Sequence, residues 1–291
     1  MAMTDGNHKA QILVAGCGKL GGDIATALLN HGQVFGLRRN PQRVPAGIRG
    51  IGADLSDPAS LAGNLPPALD IVIYCLTPSS YDEQGYHQAY VTGLKNLLAA
   101  IGERPLKRLI FISSTSVYAQ DDDSWVDETS PATPARSTGQ QIRQGEITAL
   151  ESGQPATIVR LSGIYGPTRQ RFLEEVVEGR MNPQPPAPYS NRIHEQDAAH
   201  AVAWLAGKAL DGEALEPVYL ATDCEPVRLD EVVDWVRQQI PCKAPVEGAR
   251  KGGRAGSKRC SNKQLLDSGF RFRYPDYRAG YREMINQLSL S

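Results

Sequence analysis

Apolar residues along this chain fall into two alternating patterns. Short unbroken runs of strand length are followed by stretches in which apolar residues recur at helical spacing. Ile12 to Ala15 is the first run, and Ile24, Ala25, Leu28 and Leu29 form the helical face behind it. Gln33 to Leu37 reads as the second strand, and a third, short strand starts at Ile51 and ends at Asp54. Leu69 to Leu76 (LDIVIYCL) is almost continuously apolar, as expected of a strand buried on both faces. Tyr86 to Ile101 then places Ala89, Tyr90, Leu94, Leu97, Leu98 and Ile101 on one face of a long helix. Leu109 to Ile112 and Ala156 to Leu161 are further buried strands. They are separated by a polar, acidic stretch from Gln120 to Ser137, which reads as a mobile loop, and by a helix from Gln140 to Leu150. Strands alternating with helices predict a parallel sheet.

Past Thr168 the pattern loosens. Phe172 to Glu178 reads as a short helix, and four prolines between Asn182 and Pro188 forbid regular structure there. Gln196 to Ala209 is an Ala-rich helix, Pro217 to Ala221 a strand, and Leu229 to Ile240 a helix with Asp230 near its start. Glu247 to Lys258 is basic, Gly-rich and reads as mobile. Ser261 and Asn262 cap a helix that runs to Ser268 and stops at Gly269, and a final helix covers Tyr277 to Leu288. The expected architecture is α/β, a Rossmann-type doubly wound parallel sheet of about seven strands with a small C-terminal substrate domain. Residues 1–166 with 190–222 are assigned to the dinucleotide-binding domain, and 167–189 with 223–291 to the small domain.

Composition changes this picture little. The 291 residues are 41% hydrophobic and 22% charged, with a formal net charge of −1, so no global field favours nucleic acid. No apolar run reaches the ~20 residues of a membrane span, and the N-terminus reads as a short polar tail. The five cysteines show no C-x-x-C pair, which fits free thiols in a reducing, cytoplasmic setting and gives no support for a metal site.

The chemistry is concentrated in Gln11 to Gly22 (QILVAGCGKLGG). Gly16, Gly18 and Gly21 spell G-x-G-x-x-G between a strand and a helix, with Lys19 and Leu20 inside the motif. In that context the first glycine allows a tight turn, the second lets a pyrophosphate approach the backbone, and the third lets helix and strand pack. The helix N-terminus offers unpaired N–H groups to the phosphates. An NAD site usually carries an acidic residue at the end of the second strand. Here Leu37, Arg38 and Arg39 stand there, with no carboxylate for a ribose 2′-hydroxyl and two guanidiniums suited to a 2′-phosphate. NADP is therefore favoured over NAD; the alternative is a pair of solvated arginines leading to Pro41. Asp54, followed by Leu55, is placed beside the adenine edge, with Asp57 before Pro58 as a helix cap. Leu76, Thr77 and Pro78 end the central strand at the sheet's carboxyl edge, where ligands bind in open α/β folds.

The motifs together resemble the extended short-chain dehydrogenase/reductase family, which contains nucleotide-sugar epimerases and dehydratases. The resemblance runs along nearly the whole chain. It rests on the glycine loop, Asp54-Leu55, Val91-Thr92-Gly93 with Asn96-Leu97-Leu98, and Ser113-Ser114 with Val117-Tyr118. It continues through Arg160-Leu161 with Tyr165-Gly166-Pro167, and Arg192-Ile193-His194 with Asp197-Ala198. The resemblance implies a Ser that hydrogen-bonds a substrate oxygen, which aligns with Ser114, and a Tyr-x-x-x-Lys pair. In such a pair the tyrosine moves a proton while hydride moves to or from the nicotinamide, and the lysine lowers the phenol's pKa. Gly139 and Glu146 fix the register, placing Thr138 at the tyrosine position and Ile142 at the lysine position. The glycine loop also departs from the G-x-x-G-x-x-G of extended members, which needs Gly where Ala15 stands. These departures resemble the atypical branch of the family, which keeps the cofactor fold without the usual active site.

Two function classes follow. One is an NADP-dependent oxidoreductase or epimerase/dehydratase-like enzyme with a rebuilt acid/base. Its candidates are Ser114 and Tyr165, with Tyr118, Tyr81 and His194 as further groups able to carry a proton. The other is a non-catalytic NADP(H)-binding sensor or regulatory protein. The partner is a small molecule, a nucleotide sugar or another carbonyl or hydroxyl compound. For a nucleotide sugar, Arg250, Lys251, Arg254, Lys258 and Arg259 supply basic groups, with a solvated loop as the alternative for the first three. The resemblance also implies a homodimer through Tyr86 to Ile101 and Gln140 to Leu150.

Overall fold

The structure, a computed structural model, describes residues 9–252 and 256–288. Seven strands form one sheet. They are β1 (Ala10–Ala15), β2 (Gly32–Arg38), β3 (Arg49–Gly52), β4 (Ile71–Tyr74), β5 (Arg108–Ser114), β6 (Ala156–Leu161) and β7 (Val218–Ala221). The order is β7-β6-β5-β4-β1-β2-β3 and the sheet is parallel, the doubly wound arrangement expected from the alternation of strands and helices. Ile12 of β1 faces Val34 of β2 on one side and Ile71 of β4 on the other. Strands β1 to β3 are added toward one edge and β4 to β7 toward the other, so the order switches sides between β1 and β4 and opens a crevice at their carboxyl ends.

The central strands are buried on both faces, which is why they read as unbroken apolar runs. Ile12, Leu13, Val14, Val72 and Ile73 have no exposed surface. Helix Lys19–Ala27 follows β1 directly and buries Ile24 and Ala25. The predicted long helix begins at Glu83 and reaches Ile101, with one wide turn over Gln88–Thr92. The helix expected from Gln140 starts three residues earlier, as Ser137–Leu150. The third strand ends at Gly52, two residues before Asp54, because its only partner is β2 and the ladder closes at the Arg38–Gly52 pair. Ala156–Leu161 and Tyr277–Leu288 form with the predicted bounds.

Contacts group the chain into two compact units. The first is Met1–Ser113, Ala135–Val159 and Ala199–Val218, and the second Ser114–Pro134, Arg160–Ala198 and Tyr219–Ser291. The sequence division assigns 114–134, 160–166, 190–198 and 219–222 to the dinucleotide-binding domain, whereas by contacts they cluster with the second unit. The first unit's core is the layer around Leu13, Val72, Leu94 and Phe111. The second unit has its own core, built from Tyr165, Leu173, Val232, Tyr277, Tyr281 and neighbours.

The stretch from Gln120, expected to be mobile, is irregular but tied down. Trp125–Val126 pairs with Arg259–Cys260, and the Ser257 N–H donates to Asp121 Oδ1 at 2.6 Å. The Asp127 carboxylate accepts from the N–H groups of Thr129 and Ser130. Among the described residues no helix is long and apolar enough to cross a membrane.

Candidate functional site

The glycine loop is fixed from behind by β2. The N–H groups of Gly16 and Cys17 both donate to the Leu37 carbonyl at 3.0 Å. Gly16 has φ +91°, and a Cβ added there would come within 2.2 Å of the Cys75 carbonyl oxygen. A Cβ on Gly21 would meet the Gly16 carbonyl oxygen at 2.3 Å. Gly18 differs, since nothing lies within 4 Å of a Cβ placed on it. The fold itself therefore requires the first and third glycines. The space beside the second is open, as it must be where a phosphate approaches the backbone. Helix Lys19–Ala27 starts at Gly18 with no side-chain cap and no acid in its first turn, so its leading N–H groups can serve an anion.

A cleft of about 420 Å³ opens at this point, within the usual range for small-molecule sites. Of the residues expected to meet a cofactor, Gly16, Gly18, Arg38, Arg39, Asp54, Leu55, Leu76 and Thr77 line it. Lys19, Leu20, Gly21 and Pro78 do not. Lys19 pairs instead with Asp23 at 3.0 Å, Gly21 is buried, and so is Pro78. Asn40 and Arg43, which no sequence motif marks, line the same cleft. Their only local signal was the Asn40 cap on the Pro41–Arg43 turn, whose side chain accepts from the Gln42 N–H at 3.2 Å.

The two arginines at the end of β2 do different things. Arg38 Nη1 donates to the carbonyls of Cys17 (3.1 Å) and Arg43 (2.9 Å), joining the glycine loop to the turn after β2. Arg39 is exposed, and its charge helps to hold Asp54 below the usual carboxylate range. The larger causes there are the Ser56 N–H and then the Ser56 hydroxyl, which donate to Asp54 Oδ1 at 2.9 and 2.7 Å. Asp57 caps helix Pro58–Leu61 by accepting from the Ala59 N–H, as its place before Pro58 predicts.

Of the family's acid/base positions, the lysine one is apolar, the tyrosine one keeps only a hydroxyl, and the serine is committed. Thr138 is half-buried on helix Ser137–Leu150, and Ile142, one turn on, is 3% exposed. Arg143 pairs with Glu146 at 2.7 Å, and that fully buried carboxylate also accepts from Ser113 Oγ at 2.5 Å. Ser114 Oγ accepts from the Ser116 N–H at 3.2 Å and caps the turn that follows β5.

The remaining proton-carrying candidates belong to the second unit, apart from exposed Tyr81. Tyr118 is buried, donates to the Asp127 carbonyl at 2.7 Å and accepts from Arg160 at 2.6 Å. Tyr165 ends the strand Gly163–Tyr165, which pairs in parallel with Arg192–His194. Its ring packs on Tyr281 and His194, and Gly280 lies so close that an added Cβ would reach the hydroxyl. Burial holds the phenols of both tyrosines well above their ordinary pKa, so neither is placed to give up a proton near neutrality. His194 is fully buried and stacked on Tyr274. Its Nδ1 accepts from the Gln196 N–H at 3.3 Å, and burial lowers its pKa against the opposing pull of Asp197, Glu283 and Glu195.

The second unit has a cleft of its own, of about 590 Å³. Arg192, Arg169, Arg171, Arg250, Phe172 and Tyr281 are among its walls. Of the basic residues marked from sequence only Arg250 lines it, paired with Glu175 at 2.6 Å. Arg259 lies over the rings of Trp125 and Tyr189, Lys258 is buried, Lys251 is exposed, and Arg254 lies outside the described residues. Arg192 belongs to a motif noted in the sequence, but nothing there signals that its guanidinium is buried.

The model of the NAD dependent epimerase/dehydratase family matches residues 12–236. A solved structure from Methylobacillus flagellatus, described as an NAD-dependent epimerase/dehydratase, is 34% identical with a TM-score of 0.81. It covers 97% of this chain and 100% of its own. MoeE5 in complex with UDP-glucose and NAD is similar in fold at 22% identity and a TM-score of 0.75, over 97% of this chain and 100% of that one. So is a Thermus thermophilus UDP-glucose 4-epimerase in complex with NAD, at 20% identity and a TM-score of 0.76, over 96% and 99%. No curated protein gives a significant match.

Proposed function

The chain belongs to the NAD dependent epimerase/dehydratase family, and on that premise we propose that it is an NADP(H)-binding oxidoreductase of the atypical branch. The observation that carries this reading is the open space beside Gly18 in a cleft that also holds Arg39 and Arg43 and has no acid at the end of β2. The bound dinucleotide supplies hydride transfer. The chain's own residues position it. Gly16 to Gly18 and the first N–H groups of helix Lys19–Ala27 take the pyrophosphate, and Asp54 takes the adenine edge. Arg39 and Arg43 take the 2′-phosphate, while Arg38 holds the loop. The first unit binds the cofactor and the second a small-molecule substrate. Ser114 donates to a substrate oxygen. Tyr165 is left a packing role, and the Thr138 hydroxyl stands where the phenol is lost. Without a positioned acid/base the reaction is slowed by ~10²–10⁴.

Fluorescence titration tests the cofactor. NADPH is expected to bind about tenfold or more tightly than NADH, a difference of ~1.4 kcal/mol. Equal affinities would remove the NADP assignment. Chemistry is tested with NADPH against a panel of carbonyl compounds and nucleotide sugars, the latter bound by the fold relatives. The double variant Thr138→Tyr with Ile142→Lys should raise turnover by ~10² or more, since it restores the missing pair. The second reading, an NADP(H) sensor without catalysis, is favoured by the burial of Ile142, which seals the lysine position with a hydrocarbon. Wild-type turnover that disappears in Ser114→Ala would exclude it.

A further inference from the structure

Arg192 is a buried cation without an anion. It is 5% exposed, and its Nη2 donates to Ser190 Oγ at 2.7 Å. Its Nη1 is buried with no hydrogen-bond partner, and no carboxylate pairs with it among the described residues. The rings of Phe172, Tyr277 and Tyr281 surround the guanidinium at 5.6 to 5.8 Å. Cation–π attraction of this kind recovers part of the desolvation cost but makes no hydrogen bond to Nη1.

The other arginines of the cleft are compensated. Arg171 and Arg250 share Glu175 at 2.9 and 2.6 Å, and Arg169 lies 3.9 Å from Glu195. Arg171 and Arg250 are also well exposed, so whatever charge they have left over is screened by water. The buried acid beside Arg192 is Asp223, whose N–H donates to the Arg192 carbonyl at 2.7 Å; it is 1% exposed, with an Oδ2 that has no partner. Burial pushes its carboxyl up to about 8 despite the attraction of Arg192. The two side chains make no ion pair, since Arg192 Nη1 and Asp223 Oδ2 are both without a hydrogen-bond partner, and burial favours the neutral form of the acid.

We propose that the cleft of the second unit binds a small organic carboxylate, its oxygens on Arg192 and its body against Phe172 and Tyr281. One buried positive charge matches one negative charge. The second charge of a nucleoside diphosphate would have to draw on Arg171 and Arg250, which are exposed to water and already share Glu175, so it would gain little there. The proposal depends on the reading above only in taking this ligand as the substrate; the binding itself stands on Arg192.

Isothermal titration of the full chain with benzoate, phenylpyruvate, UDP and UDP-glucose tests it. At least one carboxylate should bind, and its affinity should fall about tenfold or more in Arg192→Met. Arg192→Lys, which keeps the charge, should retain part of it. Should Arg192→Met fail to fold, the lysine variant and the wild-type ranking of the four ligands decide. The proposal is overturned if neither carboxylate binds up to ~10 mM, if UDP or UDP-glucose binds more tightly than both, or if Arg192→Met leaves carboxylate affinity unchanged. NADPH is titrated on the same samples. Loss of NADPH binding alone strikes the cofactor assignment, and absence of carboxylate binding alone strikes this one.

Discussion

At the glycine loop the groups offered to a ligand are backbone ones: the leading N–H groups of helix Lys19–Ala27 and the bare Cα of Gly18. In the cleft of the second unit they are the ends of side chains, with Arg192 Nη1 buried unpaired, in a unit where Asp223 Oδ2 is too. The first kind of site costs the empty protein little, because its polar groups are helix termini that water can also satisfy. The second kind carries desolvated groups whose partners must come from elsewhere. A backbone site should therefore be brittle at a few glycines and tolerant around them. A side-chain site should gain stability when the residues that make it bind are removed.

Gly16→Ala should give the largest effect. The φ of +91° and an overlap with the Cys75 carbonyl act together, so destabilisation of ~4 kcal/mol or more is expected by denaturant titration. Gly18→Ala has open space and should keep stability within ~0.5 kcal/mol while weakening NADPH binding. If the two variants melted alike, the contrast between a glycine required by the fold and one required by the ligand would fail.

Asp223→Asn comes next, read against pH. In the folded chain burial pushes the Asp223 carboxyl up to about 8, while the unfolded group ionises near its ordinary value of 3.8. Between these values the folded state holds the extra proton, so wild-type stability falls as pH rises, by at most ~1.4 kcal/mol per pH unit. The asparagine variant should lose this slope and melt above wild type by a margin that widens from pH 5 to pH 8. Parallel melting curves across that range would show that Asp223 is not held neutral.

Arg192→Met should raise stability by ~1–3 kcal/mol, as replacing a buried charge with a hydrocarbon often does, even as it abolishes the proposed binding. A lower melting temperature would mean that the aromatic cage compensates the cation fully. The smallest effect is expected for Arg39→Ala with Arg43→Ala, about tenfold weaker NADPH binding with NADH unchanged. Equal losses for both dinucleotides would move the arginines from 2′-phosphate recognition to general phosphate attraction.

The same contrast explains what could be read from the chain. The strand, loop and first helix were legible because the constraint is local, and Gly16 and Gly21 meet atoms near in sequence or on a neighbouring central strand. Ala156–Leu161 and Tyr277–Leu288 were legible from their apolar patterns alone. The end of β3 was not, since it depends on where β2 stops offering a partner. Nor was the start of helix Ser137–Leu150, whose N-cap, Arg136, makes no side-chain bond that could mark it. The stretch after Gln120 looks mobile from its local sequence because its tether, Ser257, lies 136 residues beyond Asp121. Glu175 shows both cases. Its bond to Arg171 follows helical spacing, but its bond to Arg250 spans 75 positions and leaves no local trace. Arg192 was invisible as a site for the same reason: its cage is built from Phe172, Tyr277 and Tyr281, far apart in the chain.

The bifurcated bond from Arg38 to the carbonyls of Cys17 and Arg43 bears on any attempt to retool the protein for the other dinucleotide. Placing an acid at the end of the second strand, the obvious swap for an NAD-type ribose contact, would here cut the fastening between two loops before it recruited a hydroxyl. Such redesign has to begin at Arg39 and Arg43 and leave Arg38 alone. A protein engineer guided only by alignment would alter the wrong arginine first.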